Sequence, residues 1–155
     1  MVTAKRLKNH SPTLVLMVNF FMSKVKTIKQ TVIIPASPEK VYDAYVDPKK
    51  RSEFTGYQAT GRPVVGGKFT GIDEHIFGKY LELDDEKRVV QEWTSTDYDY
   101  GPSRLELCFN KVPEGTELVI VLSGVPEDQA DETADAWTKF YWDPLKKYFS
   151  KQTKA

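Results

Sequence analysis

The sequence predicts an α+β fold in which a curved antiparallel sheet of about six strands wraps around one long C-terminal helix, with a short helix pair after the first strand. Three observations carry this. After Pro126 the apolar residues Ala130, Ala134, Trp137, Tyr141, Leu145 and Tyr148 recur at steps of three and four, the spacing of one buried helical face. Between Thr27 and Ser123 the turn signals come too close together for anything but strands and short helices. Leu105, Leu107 and Phe109 alternate with Arg104, Glu106, Cys108 and Asn110, so that part of the sheet has one dry face and one wet face. A helix that is the only long element must cover the dry face, and such an arrangement either encloses a cavity or presents a docking surface.

The elements follow in order. Ile28 to Pro35 alternates as a strand and stops at a proline that cannot extend a ladder. Ser37-Pro38-Glu39 then supplies a capping hydroxyl, a proline at the first helical position and an acid in the first turn, with Val41, Tyr42 and Tyr45 as the buried face. Asp47-Pro48 ends that helix. Lys49 to Phe54 reads as a second helical turn with Phe54 pointing inward and Lys49, Lys50 and Arg51 solvated.

From Gly56 onward, strand-sized segments run from Lys68 to Ile72, Ile76 to Leu83, Arg88 to Ser95, Arg104 to Val112 and Thr116 to Ser123. They are punctuated by Gly61-Arg62-Pro63, Gly66-Gly67, Asp73-Glu74-His75, Asp84-Asp85-Glu86, Tyr100-Gly101-Pro102 and Pro113-Glu114-Gly115, short enough for hairpins. Gly66-Gly67 is expected at a bulge or tight turn where the sheet curves. The last helix is expected from Gln129 to Phe149, with at most a local kink at Pro144, which lacks an N–H and crowds the carbonyl of Phe140.

Residues 1–24 are read as an N-terminal extension and residues 25–152 as one domain. Lys5, Arg6 and Lys8 precede the apolar run Leu14 to Phe21, which imitates a leader. That run is far below the roughly 20 residues that span a bilayer, and no small-x-small cleavage site follows it. An upstream extension before a start at Met22, a basic arm and a true leader all fit. No transmembrane segment is expected.

The formal net charge is zero, yet all five charged residues of the first 26 are basic, so the remainder carries 17 bases against 22 acids. A mildly acidic body argues against nucleic-acid binding. The single cysteine, Cys108, excludes an internal disulfide and suits a reducing, cytoplasmic setting. With His10 and His75 the only histidines, a zinc site lacks ligands and a Ser-His-Asp relay lacks choices. Gly66-Gly67 has neither Walker nor Rossmann spacing. No catalytic residue, metal or cofactor is therefore expected.

One resemblance is specific. Gly66-Gly67-Lys68-Phe69, Gly78 with Tyr80, Lys87-Arg88-Val89-Val90-Gln91-Glu92-Trp93, and Gly124-Val125-Pro126 ahead of Trp137-Thr138-Lys139-Phe140-Tyr141-Trp142 resemble, in order and spacing, the activator of heat-shock-protein-90 ATPase homologue family. The likeness is to that family's C-terminal-type domain, from about Lys26 to Phe149. It implies the START-like helix-grip fold, which is similar to birch pollen allergen and START lipid-binding domains. It further implies a stress-response co-chaperone that touches a heat-shock-protein-90 chaperone by its surface, without the N-terminal domain that supplies the main grip in two-domain relatives.

Three functional classes follow: a co-chaperone acting by contact, a carrier or sensor of a small apolar ligand held in the grip, and, third, a cyclase-like enzyme. The ligand class needs a cavity of roughly 300 Å³ or more. Its candidate lining is Phe54, Phe69, Tyr80, Trp93, Leu105, Leu107, Trp137 and Tyr141, each of which also suits plain core. The docking candidates are Asp97, Tyr98, Asp99 and Tyr100, in an acidic-aromatic hairpin loop. Glu106 is expected to point outward, and Cys108 to be an unreactive, semi-buried thiol.

Overall fold

A computed structural model describes residues 24–98 and 101–153. The elements are β1 (Val25–Ile34), α1 (Pro38–Val46), α2 (Pro48–Thr55), β2 (Thr60–Gly61), β3 (Lys68–Gly71), β4 (Ile76–Asp84), β5 (Arg88–Ser95), β6 (Ser103–Val112) and β7 (Gly115–Pro126). A last helical rod follows. It opens with a single turn, Glu127–Gln129, and continues as α3 (Ala130–Trp137), a wide π-turn (Thr138–Trp142) and α4 (Asp143–Thr153).

The strands form one antiparallel sheet in the order β1-β7-β6-β5-β4-β3-β2. Apart from β1, every strand lies beside its neighbour in sequence, the meander expected from hairpin-length turns. β1 instead reaches across to β7 and pairs along almost its whole length, from Val25 opposite Pro126 to Ile34 opposite Thr116. The inner face carries Ile34, Tyr80, Val89, Trp93, Leu105, Leu107, Leu118, Ile120 and Leu122, all buried. The helical rod and α1 close over it, which makes the expected helix-grip architecture the observed one.

Local chemistry explains the helix pair. Ser37 Oγ accepts from the Lys40 N–H, and the Asp47 carboxylate accepts from the Lys49 N–H at 3.0 Å, so the residue that ends α1 also starts α2. Gly56, with φ of 78°, ends α2 in the left-handed conformation that costs glycine nothing. Phe54 is buried as expected. Arg51 is not solvated: at 2% exposure it lies inside the domain, because carbonyl oxygens from three other segments answer its guanidinium.

Two further differences have local causes. β2 is only two residues long and exists by pairing Thr60 and Gly61 with Thr70 and Phe69, a tertiary contact that no periodicity announces. In the rod, Pro144 does not produce a simple kink. The turn before it widens, with the Asp143 N–H donating to Thr138 O five residues back, and the extra residue relaxes the crowding between the proline ring and the preceding carbonyls. The widened turn also shifts the buried stripe. Trp137, Tyr141, Trp142, Leu145 and Phe149 face inward, while Ala134 and Tyr148 are only partly buried.

Gly66 and Gly67 form the expected tight turn. Gly66 has φ of 84°, its N–H donates to Tyr80 O, and a Cβ on Gly67 would stand 2.0 Å from Arg62 O. No helix among the described residues is long and apolar enough to cross a membrane.

Candidate functional site

Inside an aromatic interface, Gln30 fastens the rod to the sheet by polar contacts. Gln30, on the inward parity of β1, donates through Nε2 to Ala134 O at 3.1 Å and accepts from Trp142 Nε1 at 2.9 Å. Around it the rings stack. Trp137 lies 5.1 Å from Trp142 at 19° between planes, 4.5 Å from Tyr141 and 5.2 Å from Trp93 of β5. Tyr98 closes the row edge-on against Trp93 at 5.5 Å.

Where this row reaches the end of the sheet, a cavity of about 220 Å³ remains. Its apolar walls are Ile72, Ile76, Trp93, Tyr98, Ala136, Trp137, Phe140 and Tyr141, and its polar rim is His75, Ser95, Asp97, Gln129, Glu132 and Thr133. Gly71 makes room for one of these walls: a Cβ there would lie 2.8 Å from the Tyr141 hydroxyl.

The expected cavity residues divide. Trp93, Trp137 and Tyr141 line the space, whereas Phe54, Phe69, Tyr80, Leu105 and Leu107 are buried core away from its walls. Phe69 instead packs on Tyr80 at 5.5 Å, and Phe54 on Tyr141 at 6.4 Å. Of the expected docking residues, Asp97 is exposed, with its carboxylate 3.0 Å from His75 Nε2. Tyr98 turns inward, and its hydroxyl accepts from Ser103 Oγ at 3.1 Å. Asp99 and Tyr100 lie outside the described residues.

Electrostatics follow burial. Desolvation pushes the Tyr141 phenol up to about 12 and raises that of Tyr98, so both hydroxyls stay protonated donors through the neutral range. Tyr45, fully buried, is held well above its ordinary value by the same effect and donates to Gln91 Oε1 at 2.7 Å. On the outer face, Glu106 is drawn below its usual range by hydrogen bonds from Arg88 and Arg104, in a cluster that includes Glu82. Glu106 therefore points outward, paired. Burial, then the neighbouring Glu106, raises the Cys108 thiol, which disfavours the reactive thiolate.

Sequence reasoning missed His75, Gln129 and Thr133 as rim residues. Asp73-Glu74-His75 does form the expected turn, with Ile72 and Asp73 at φ of 50° and 59°. His75 reaches the cavity because its N–H and carbonyl bond Ile72 O and the Thr96 N–H, which seats it against the end of β5. Among the described residues no group of three or more His, Cys, Asp or Glu is placed to hold a metal ion.

A curved antiparallel sheet gripping a C-terminal helix, with a small aromatic cavity at the open end, defines a START-like helix-grip domain. Within that class the chain belongs to the family described as activator of Hsp90 ATPase homolog 1-like protein, which matches residues 35–150. It is similar to the activator of 90 kDa heat shock protein ATPase homolog 1 of Homo sapiens, 28% identical over 124 residues that make up 79% of this chain and 36% of that protein. A homologue of the same name series in Dictyostelium discoideum is 29% identical over 131 residues, 83% of this chain and 34% of that protein. The chain thus spans about a third of the length of these curated relatives. Among solved structures, an HSP90 activator from Plasmodium falciparum shares the fold, with a TM-score of 0.69, 21% identity, and coverage of 81% of this chain and 96% of that one.

Proposed function

We propose that this chain is a cytoplasmic contact partner of a 90 kDa heat-shock chaperone, acting through its surface and not through catalysis. One observation carries the choice among the functions open to this fold. The grip is lined by its own stacked aromatics, and the cavity that these rings border, about 220 Å³, falls short of the 300 Å³ or more typical of carriers for drug-sized ligands. Family membership gives the same direction. The similar Plasmodium falciparum chain is described as an HSP90 activator, which supports this reading.

The contact would combine apolar anchors with charged surroundings. Phe77 and Leu81 stand exposed on the outside of β4, and the bonds between Gly66, Gly67 and Tyr80 set exposed Val64 and Val65 beside that strand. The ion-pair cluster of Glu82, Arg88, Arg104 and Glu106 borders them on the outer face. From the hairpin loop, Asp97 would offer its carboxylate, Tyr98 would hold the loop in place, and Asp99 and Tyr100 would complete the acidic-aromatic edge.

Calorimetry against the 90 kDa chaperone of the same source tests this. A micromolar dissociation constant, about −8 kcal/mol, is the expected scale for a contact made through one modest surface. Phe77→Ala/Leu81→Ala should weaken binding about tenfold or more if these are the anchors, and Asp97→Ala should reduce the salt dependence of the on-rate. No heat and no change in chaperone ATP turnover at high protein concentration would discard the reading.

A further inference from the structure

Every fourth residue along the outside of the rod is charged. Asp131, Asp135, Lys139, Asp143, Lys147 and Lys151 are all exposed, and among the described residues none of them belongs to an ion pair. On a plain α-helix such a row slips around the axis by about 40° per step, which would carry its ends toward the buried side. The wide turn at Thr138–Trp142 slows that rotation and holds the row outside. The order of signs is its own complement: reversing the row and exchanging acid for base returns the same row. The helix dipole explains acids in the first half and lysines at the end, but not the middle, where Lys139 precedes Asp143 against the favourable orientation. Beside the row runs an apolar strip of Ala136, Phe140 and Pro144, with Tyr57, 41% exposed, edge-on to Phe140 at 5.8 Å.

We propose that this face docks on the same face of a second copy, the two rods lying antiparallel about a two-fold axis between Lys139 and Asp143. Lys139 of each copy then meets Asp143 of the other, Asp135 meets Lys147, and Asp131 meets Lys151, so every pair along the row is attractive and occurs twice. Packing of i±4 rows against each other is the commonest way two helices meet, and its crossing angle leaves the pairs nearest the axis in closest contact. The strips of Ala136, Phe140 and Pro144 come together beside the axis and supply the apolar burial, while the solvated pairs set register and direction. A formal net charge of zero puts no long-range repulsion between the copies. The rod covers the inner face of the sheet, whereas Phe77 and Leu81 stand on its outer face, so the dimer leaves the proposed chaperone surface open and does not depend on it.

Sedimentation velocity of the full chain, at low and at high salt, tests this. A monomer–dimer equilibrium in the micromolar range that weakens as salt rises is the expected result. Asp135→Lys and Lys147→Asp should each weaken association about tenfold or more, since each sets like charges against one another on both sides of the axis. An equimolar mixture of the two variants should associate as the wild type does, because in the mixed dimer both pairs are again opposite in sign. Asp135 and Lys147 stand about 18 Å apart along one rod, so this rescue cannot arise within a single copy. Asp85→Lys, the same charge reversal away from the rod, should leave the dimer intact, and melting curves show that each variant is folded. A monomer at every concentration up to the millimolar range in low salt overturns the proposal. So does association that ignores salt or the single reversals, a mixture that stays monomeric, or a loss in Asp85→Lys equal to that in Asp135→Lys.

Discussion

Arg51 donates to Tyr45 O at 2.8 Å, Thr60 O at 2.9 Å, Thr70 O at 3.1 Å and the Tyr80 hydroxyl at 3.3 Å, while its guanidinium lies over the rings of Tyr45 and Phe69. One side chain thereby satisfies main-chain acceptors from α1, β2 and β3. Its removal leaves carbonyls facing an apolar hole, and each orphaned buried acceptor costs about 1–3 kcal/mol. Arg51→Ala should therefore destabilise the domain by at least ~3 kcal/mol in denaturant unfolding. Arg51→Met, which keeps the apolar stem but no donor, should recover little, and wild-type stability in that variant would show that the hydrogen bonds are immaterial. Glu106 makes a pH-dependent counterpart. Its carboxyl is held below the ordinary 4.5 by hydrogen bonds from Arg88 and Arg104. A folded-state value below the unfolded one gives stability that is present above about 4.5 and is lost as pH falls through the lower value. Glu106→Gln should accordingly lower the melting temperature at neutral pH and flatten its decline below pH 4.5, and parallel acid profiles for the two proteins would contradict the pairing.

The element scale shows what was legible in the chain and what was not. Alternation at Leu105, Leu107 and Phe109, together with closely spaced turn residues, located the long strands, because each of those signals is local. The stripe through Trp137 and Tyr141 is likewise local, and both rings border the aromatic cavity. Arg51, β2 and the π-turn escaped because their causes are tertiary: acceptors from distant segments, a two-residue pairing, and the fit of a rod around Pro144. The inward turn of Tyr98 belongs with them, since Trp93 and Ser103 draw it in from other strands. Gly78 illustrates a local residue with a tertiary reason. A Cβ there would lie 1.8 Å from Glu92 O and 3.1 Å from a Phe69 ring carbon, so β4 and β5 can pair at this rung only over a bare Cα. Gly78→Ala should force the two strands apart and cost at least ~2–3 kcal/mol, beyond the ordinary range for a surface substitution. A melting temperature within a degree of wild type would mean that the sheet accommodates the methyl group and that the close approach has no structural role.

At the scale of the whole molecule, the described residues close a core by themselves. β1 is bonded to β7 from its first residue to its last, Gln30 ties it to the rod, and the Glu127 N–H donates to Lys24 O, so the chain is already anchored at the start of the sheet. The inner face from Ile34 to Leu122 is covered by α1, α3 and α4, with Val41, Tyr45, Trp142, Leu145 and Phe149 all buried against it. Stability that comes from this burial does not need the residues before Lys24. Deleting residues 1–21, so that the chain begins at Met22, should therefore leave the melting temperature within a degree or two, on the principle that a terminus matters only as far as its backbone is tied down by burial and hydrogen bonds. Calorimetric unfolding of the shortened and full-length chains, at equal concentration, measures it directly. A loss of several degrees would assign the apolar run Leu14 to Phe21 a place in the folded core, and the exposed Val25 and Ile33 on the neighbouring strand would then be the first positions to probe for its contact.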